Sequence, residues 1–243
     1  MGVEGRRGPC ALTVLEPVRY GGLYVKRRTL DFIFAGGGLL VAALLIILGL
    51  VLRDQYNFAQ DYVKGELGAQ KITFAAEPTA DETSWKPGSK CLTEHAGKLM
   101  ETGKQAECYA SYYIAFHMRT AAKEAYPEGT YSDDTYATMG AKRTALQKAY
   151  DTALKDKGAA DAETVEAKKQ LDAATALRGT FQTGETLRGL LLTTYGFSIF
   201  GDKAGLAAMV CFIVAALVMV LSAAGFVHAF MAGPDEVVLR GAE

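Results

Sequence analysis

The chain has 243 residues, with 26 Lys+Arg against 27 Asp+Glu and a formal net charge of −1. A balance this even weakens any reading as a dedicated nucleic-acid binder, which needs a clustered basic excess, and no nucleic-acid partner is expected. Six Pro and 26 Gly are too few for a disordered or collagen-like chain.

The apolar residues are concentrated in two runs. Phe32 to Leu52 and Ala204 to Pro234 contain no Asp, Glu, Lys or Arg, and each reaches the ~20 residues that cross a hydrocarbon core of about 30 Å. The expected class is therefore a mainly α protein with two transmembrane helices flanking a helical domain, and a soluble single domain is excluded. The first run is no cleaved signal peptide, because it exceeds an h-region of about 7–15 residues and ends in Val51-Leu52-Arg53-Asp54-Gln55 without an Ala-x-Ala site or a lipobox Cys.

Flanking charge sets the expected orientation. Arg6, Arg7, Arg19, Lys26, Arg27 and Arg28 precede the first run against Glu4, Glu16 and Asp31, while the far side offers only Arg53 beside Asp54. The positive-inside rule then puts both termini in the cytoplasm. The expected organisation is a cytoplasmic segment 1–31, a span 32–52, an extracytoplasmic helical domain 53–203, a span 204–232 and a cytoplasmic tail 233–243. The cytoplasmic pieces hold no signalling domain.

In the outer segment, Gln55 to Ile72 continues the first helix, with Tyr56, Phe58 and Tyr62 as an aromatic collar at the interface. Thr73 to Ser89 reads as loop. From about Thr93 to Tyr126 the pattern is helical: Tyr109, Tyr112, Tyr113, Phe116 and His117 recur along one face, and Tyr126-Pro127 stops it. Such a stripe serves either as a cofactor or quinone box or as a core face; the core face is the reading taken. Gly129 to Asp134 is turn material. Tyr136 to Lys157 and Ala162 to Arg178 form an antiparallel hairpin, ended by Gly158 and restarted by Asp161 as cap. Its thin stripe of Val165, Leu171 and Leu177 predicts a slender contact surface or spacer. Leu187 to Phe200 is too short to span and is expected at the membrane surface or under the outer domain, followed by a separate second span.

Cys91 and Cys108 are the two cysteines of the outer segment, with Cys10 ahead of the first span and Cys211 inside the second. A disulfide closing a loop of about 17 residues in an oxidising compartment contributes roughly 3 kcal/mol. The rival reading, a metal site from Cys91-x3-His95 and Cys108-x8-His117, matches no zinc spacing. In the spans, Gly38 and Ala42 on one helix and Ala204, Ala208, Cys211 and Ala215 on the other are small residues that permit close helix packing. The Gly36-Gly37-Gly38 run follows no strand, so it is no phosphate cradle. His228 lies near the cytoplasmic end of its helix, within reach of water.

Three segments carry a resemblance: Val63 to Thr73; Tyr109-Ala110-Ser111-Tyr112-Tyr113-Ile114 ahead of His117 and Thr130-Tyr131; and Thr186 to Thr193. Together they resemble a group of actinobacterial two-span membrane proteins to which the name aromatic ring-opening dioxygenase is often transferred. The similarity covers about a third of the chain; the hairpin 136–178 and the pair Asp202-Lys203 depart from the pattern. It implies a Gram-positive cell envelope, with a respiratory supercomplex as one host.

The residues give no support to the transferred activity. Ring-opening iron sites need two His and a carboxylate or an equivalent open set, and of the three His one sits in the second span. Gly-x-Ser-x-Gly, Walker A, Gly-x-Gly-x-x-Gly, Cys-x-x-Cys-His and His-Glu-x-x-His are all missing. The expected function is a non-enzymatic accessory subunit of a larger membrane complex, with no catalytic, cofactor or metal residues and with membrane protein subunits and the lipid bilayer as partners. A ligand sensor or receptor is the alternative, and a membrane-bound enzyme comes third.

Overall fold

The computed structural model describes residues 25–126, 133–233 and 237–239, in two compact units: residues 1–45 with 213–243, and 46–212. The expected cytoplasmic segment up to residue 24, with Cys10, lies outside the described residues, as do most of the turn 129–134, Pro127, Thr130-Tyr131 and most of the tail. The protein is mainly α. Its elements are β1 (Val25–Lys26), α1 (Arg27–Ala69), α2 (Ala80–Ser84), a 3-10 turn (Pro87–Lys90), α3 (Cys91–Glu94), α4 (Gly103–Cys108), a π-helical segment (Tyr109–Ile114), α5 (Ala115–Ala125), α6 (Tyr136–Lys157), α7 (Ala162–Met231) and β2 (Val237–Leu239). Both α1 and α7 are long and apolar enough to cross a membrane, with mean hydropathy of 2.7 and 2.8 in their richest stretches, of which only 17% and 11% is buried. A soluble core helix hides such a stretch; here Ile33, Phe34, Leu40, Leu44, Leu217, Val220 and Leu221 stand exposed, as lipid-facing side chains do.

In the first unit the ends of α1 and α7 pair through small residues. A side chain at Gly38 would run into Ser222 and touch Val218, and one at Gly225 would come within 3.3 Å of Ala35. Phe32 packs edge-on to Phe230 at 5.5 Å and beside Phe226 at 5.9 Å. The short antiparallel β1–β2 pair belongs to the same unit.

The second unit holds the main apolar core. Val63 and Leu67 of α1, Met100, Ala106, Cys108, Met139 of α6, and Phe181 and Leu191 of α7 are all at most 2% exposed and form one cluster. Thr73 and Leu99 make an antiparallel bridge. Thr79 and Glu82 form a capping box that starts α2, Thr102 and Gln105 one that starts α4, and Thr135 caps α6 through Thr138. Capping boxes satisfy the orphan N–H groups of a helix start. The helix expected from Thr93 therefore begins at Gly103, and the loop expected over 73–89 contains α2 and the 3-10 turn.

The largest correction concerns α7. The second hairpin helix, the short apolar stretch 187–200 and the second span are one helix of 70 residues. The separation rested on changes of polarity, but polarity sets which medium a helix meets, not whether its backbone continues; residues 162–231 contain no Pro. Three of its glycines are seats for close packing: a Cβ at Gly184 would lie 2.5 Å from the Met118 sulfur, at Gly201 2.6 Å from Ala59 and at Gly205 2.7 Å from Tyr56. The hairpin is also less slender than expected, since Met139, Ala174 and Leu177 join the main core and Leu171 is buried at 7% exposure. Val165, expected as an anchor, is 57% exposed, and its neighbour Thr164 is buried in its place.

Candidate functional site

Of the residues singled out from sequence, Cys91 and Cys108 form the expected disulfide, with Cα atoms 6.1 Å apart. That bond removes both thiolates from any metal set, and among the described residues no group of three or more His, Cys, Asp or Glu is placed to hold a metal ion. In the spans, Ala42, Ala208 and Ala215 are each 1% exposed, Gly38 meets Ser222 and Val218, and Ala204 and Cys211 are half-buried, Cys211 as a free thiol. Buried positions recur every seven residues, at Ala35, Ala42 and Gly49 and at Gly201, Ala208, Ala215, Ser222 and Ala229, so each helix keeps one buried face along two turns at a time. The chain buries these faces by itself, so they are used in its own fold.

What the fold leaves open is the aromatic stripe. Cys108 ends α4, and the helix widens into the π-helical turn Tyr109–Ile114 before α5 resumes. Single π turns inside α-helices often sit at functional sites. Arg188 of α7 donates from Nε to the Ala110 carbonyl at 3.0 Å, which ties the widened turn to α7. Tyr109 and Tyr113 stack with ring centres 4.5 Å apart, and Tyr113 lies 4.3 Å from His117. Phe74 extends this column at one end, edge-on to Tyr109 at 5.3 Å, and Phe116 and Trp85 extend it at the other.

One side of the column borders an open groove of about 530 Å³. Tyr109, Tyr113, Ile114, His117 and Met118 form one wall, and Gly179, Thr180, Thr183, Gly184 and Leu187 of α7 form the other. The stripe is thus partly core and partly groove. Tyr112 packs into the core, its hydroxyl over Gly88, where any side chain would collide with it. Burial and the adjoining Tyr113 push the Tyr109 phenol up to about 12, so it stays a neutral donor.

His117 is held from behind. Its Nε2 lies 2.9 Å from a Glu82 carboxylate oxygen, and Glu82 is only 6% exposed. Burial pushes the Glu82 carboxyl up, yet hydrogen bonds from the Thr79 N–H, the Thr79 hydroxyl and His117 outweigh it and hold the group below its ordinary value. An ionised Glu82 fixes the proton of a neutral His117 on Nε2 and leaves Nδ1 as an acceptor. Sequence reading missed Glu82, although Thr79-x-x-Glu82 is a legible capping signal. His95, in contrast, packs on Phe74 at 5.4 Å with its Nδ1 buried and unpartnered. Burial, then Lys98, lowers its pKa.

Comparison with known proteins returns no matching family model, no similar curated protein and no similar solved structure.

Proposed function

We propose that the protein is a non-enzymatic accessory subunit of a larger membrane assembly, and that the aromatic groove is where a neighbouring subunit docks. The observation that carries this reading is the groove's form. Small-molecule sites bury about 70–90% of their ligand, whereas this groove lies open along its length, with apolar walls and one anchored imidazole. That form suits side chains presented by a partner segment. The groove wall Gly179–Leu187 lies 16 to 24 residues before Lys203 on α7, or roughly 24–36 Å along the helix at 1.5 Å per residue. A quinone head group anchored in the bilayer does not reach so far, which argues against the quinone-box reading.

The basic flank of the first span and the disulfide both support placing the groove outside the cytoplasm. The resemblance to actinobacterial two-span proteins supports an actinobacterial membrane as the setting and a respiratory supercomplex as a host to test first. The sensor reading retains one favourable observation, the imidazole whose tautomer Glu82 fixes.

Purification of the tagged protein in mild detergent tests the proposal, with Gly179→Trp as the decisive variant. No atom lies within 4 Å of a Cβ at Gly179, so the indole fills the groove without displacing the core, and helix propensity improves by about a few tenths of a kcal/mol. Wild type should co-migrate with defined subunits in fixed proportion. The variant should lose them at least about tenfold, the effect of ~1.4 kcal/mol, while melting no lower. A monodisperse lone wild-type protein, or unchanged co-purification of the variant, overturns it.

A further inference from the structure

The groove between the π-helical turn and α7 has a chemistry more specific than an apolar slot. Tyr113 stacks on Tyr109 at 4.5 Å and lies 4.3 Å from His117, one neighbour a turn before it and the other a turn after. Both faces of the Tyr113 ring are thereby occupied, and its rim is what it presents to the groove. The rim of an aromatic ring carries the positive end of its quadrupole. A cation, which is held over a ring face, is poorly met here, whereas the face of another ring is well met.

The opposite wall suits a flat group. A Cβ at Gly179 would meet no atom within 4 Å, so α7 leaves open space there beside bare backbone. Met118 fills the other glycine seat, since a Cβ at Gly184 would lie 2.5 Å from its sulfur, and a thioether is a favourable neighbour for an incoming ring. Thr180 turns its hydroxyl back on its own helix, donating to the Ala176 carbonyl at 3.3 Å. His117 supplies the polar contact. Its Nε2 is held by the buried Glu82 at 2.9 Å, and its Nδ1 has no partner among the described residues. With the proton on Nε2, Nδ1 accepts, and it refuses a group that can only accept. The ionised carboxylate behind the imidazole adds to that refusal of anions.

We propose that the docking partner enters this groove with a tryptophan, whose indole ring lies between the Tyr113 rim and the bare backbone at Gly179 and whose N–H donates to His117 Nδ1. The indole combines a wide apolar face with a donor and no acceptor, and Trp is enriched among the residues that carry the energy of interfaces. Glu82 acts as a positioning residue, through the tautomer it fixes. The inference rests on the docking reading and names the anchor of that partner.

The test uses the full-length protein in detergent and mildly alkaline buffer, with isotope-labelled histidine; the chain has 3 His, so the imidazole signals are few. N-acetyl-tryptophanamide is the probe, its N-methylindole analogue lacks only the donor, and N-acetyl-argininamide is the cationic control. The tryptophan probe should shift the His117 Nδ1 resonance and bind about fivefold more tightly than the methylated analogue, the weight of one hydrogen bond. Gly179→Trp should abolish the shift by filling the slot. Glu82→Gln should mix the two His117 tautomers, visible in the imidazole nitrogen shifts, and narrow the difference between the probes. Equal affinity of the methylated analogue, an unmoved Nδ1 resonance, or tighter binding of the arginine control overturns the proposal. Any of these beside co-purifying subunits that Gly179→Trp releases would reject the indole and keep the docking reading. The indole preference beside co-purification that Gly179→Trp leaves intact would reject the docking reading, and the partner's tryptophan with it.

Discussion

At the scale of single residues, the two histidines of the second unit show how similar side chains acquire opposite tasks from their surroundings. His117 faces the groove with an ionised carboxylate behind it, while His95 sits against Phe74 with a buried ring nitrogen left unpaired. The pH dependence of stability should separate them. The pKa of His95 is lowered from 6.5 in the fold, so the unfolded chain takes up its proton first as pH falls. Stability is lost as pH drops below about 6.5 toward the folded value. For Glu82, lowered from 4.5, the stabilisation is present above the unfolded value and disappears as pH falls through the folded one. Denaturant melts from pH 7 to 3 should show His95→Gln removing the upper part of the decline and Glu82→Gln removing the part below about 4.5. Coincident profiles for wild type and both variants would reject these assignments. The aromatic stripe that borders the groove was legible in the sequence because Tyr109, Tyr113 and His117 repeat at helical spacing. Glu82 was less so, since what brings it beneath His117 is a chain path across 35 residues.

At the scale of elements, packing between α1 and α7 depends on missing volume. Apolar attraction does not drive helices together inside lipid, so close approach of small residues must hold them. Ala35 and Gly225 are near enough for direct disulfide trapping, at 3.3 Å from the Ala35 Cβ to a Cβ placed on Gly225. An Ala35→Cys, Gly225→Cys pair should therefore cross-link under mild oxidation in membranes. Adding Gly38→Leu, whose side chain would displace Ser222, should cut the yield severalfold while insertion continues, because Leu is favourable in hydrocarbon. Equal cross-linking with and without Gly38→Leu would mean that this contact does not hold the pair. The same elements show where sequence patterning misleads. Asp202-Lys203 looked like a boundary, yet the backbone of α7 passes through it, and Asp202 accepts a hydrogen bond from Gln60 of α1 at 2.8 Å.

At the scale of the whole molecule, the proposed topology has a direct check. A membrane-impermeant maleimide applied to intact cells should label a cysteine placed at Thr152, exposed on α6, and leave Cys10 unlabelled until the cells are opened; the reverse pattern would invert the orientation. The sequence by itself determined the two apolar helices, the mainly α class and the pairing of Cys91 with Cys108. Each depends on a local or compositional quantity: run length against bilayer thickness, helical period, and the number of cysteines in one compartment. Only the tertiary structure decided that the small-residue faces are closed within the chain, that three expected elements are one helix, and that Gly179 to Leu187 form the second wall of the groove beside Tyr109 and His117. Those outcomes depend on which surfaces meet across the fold. A glycine in sequence is equally a turn, a flexible point or a seat for a neighbour, until the neighbour is known.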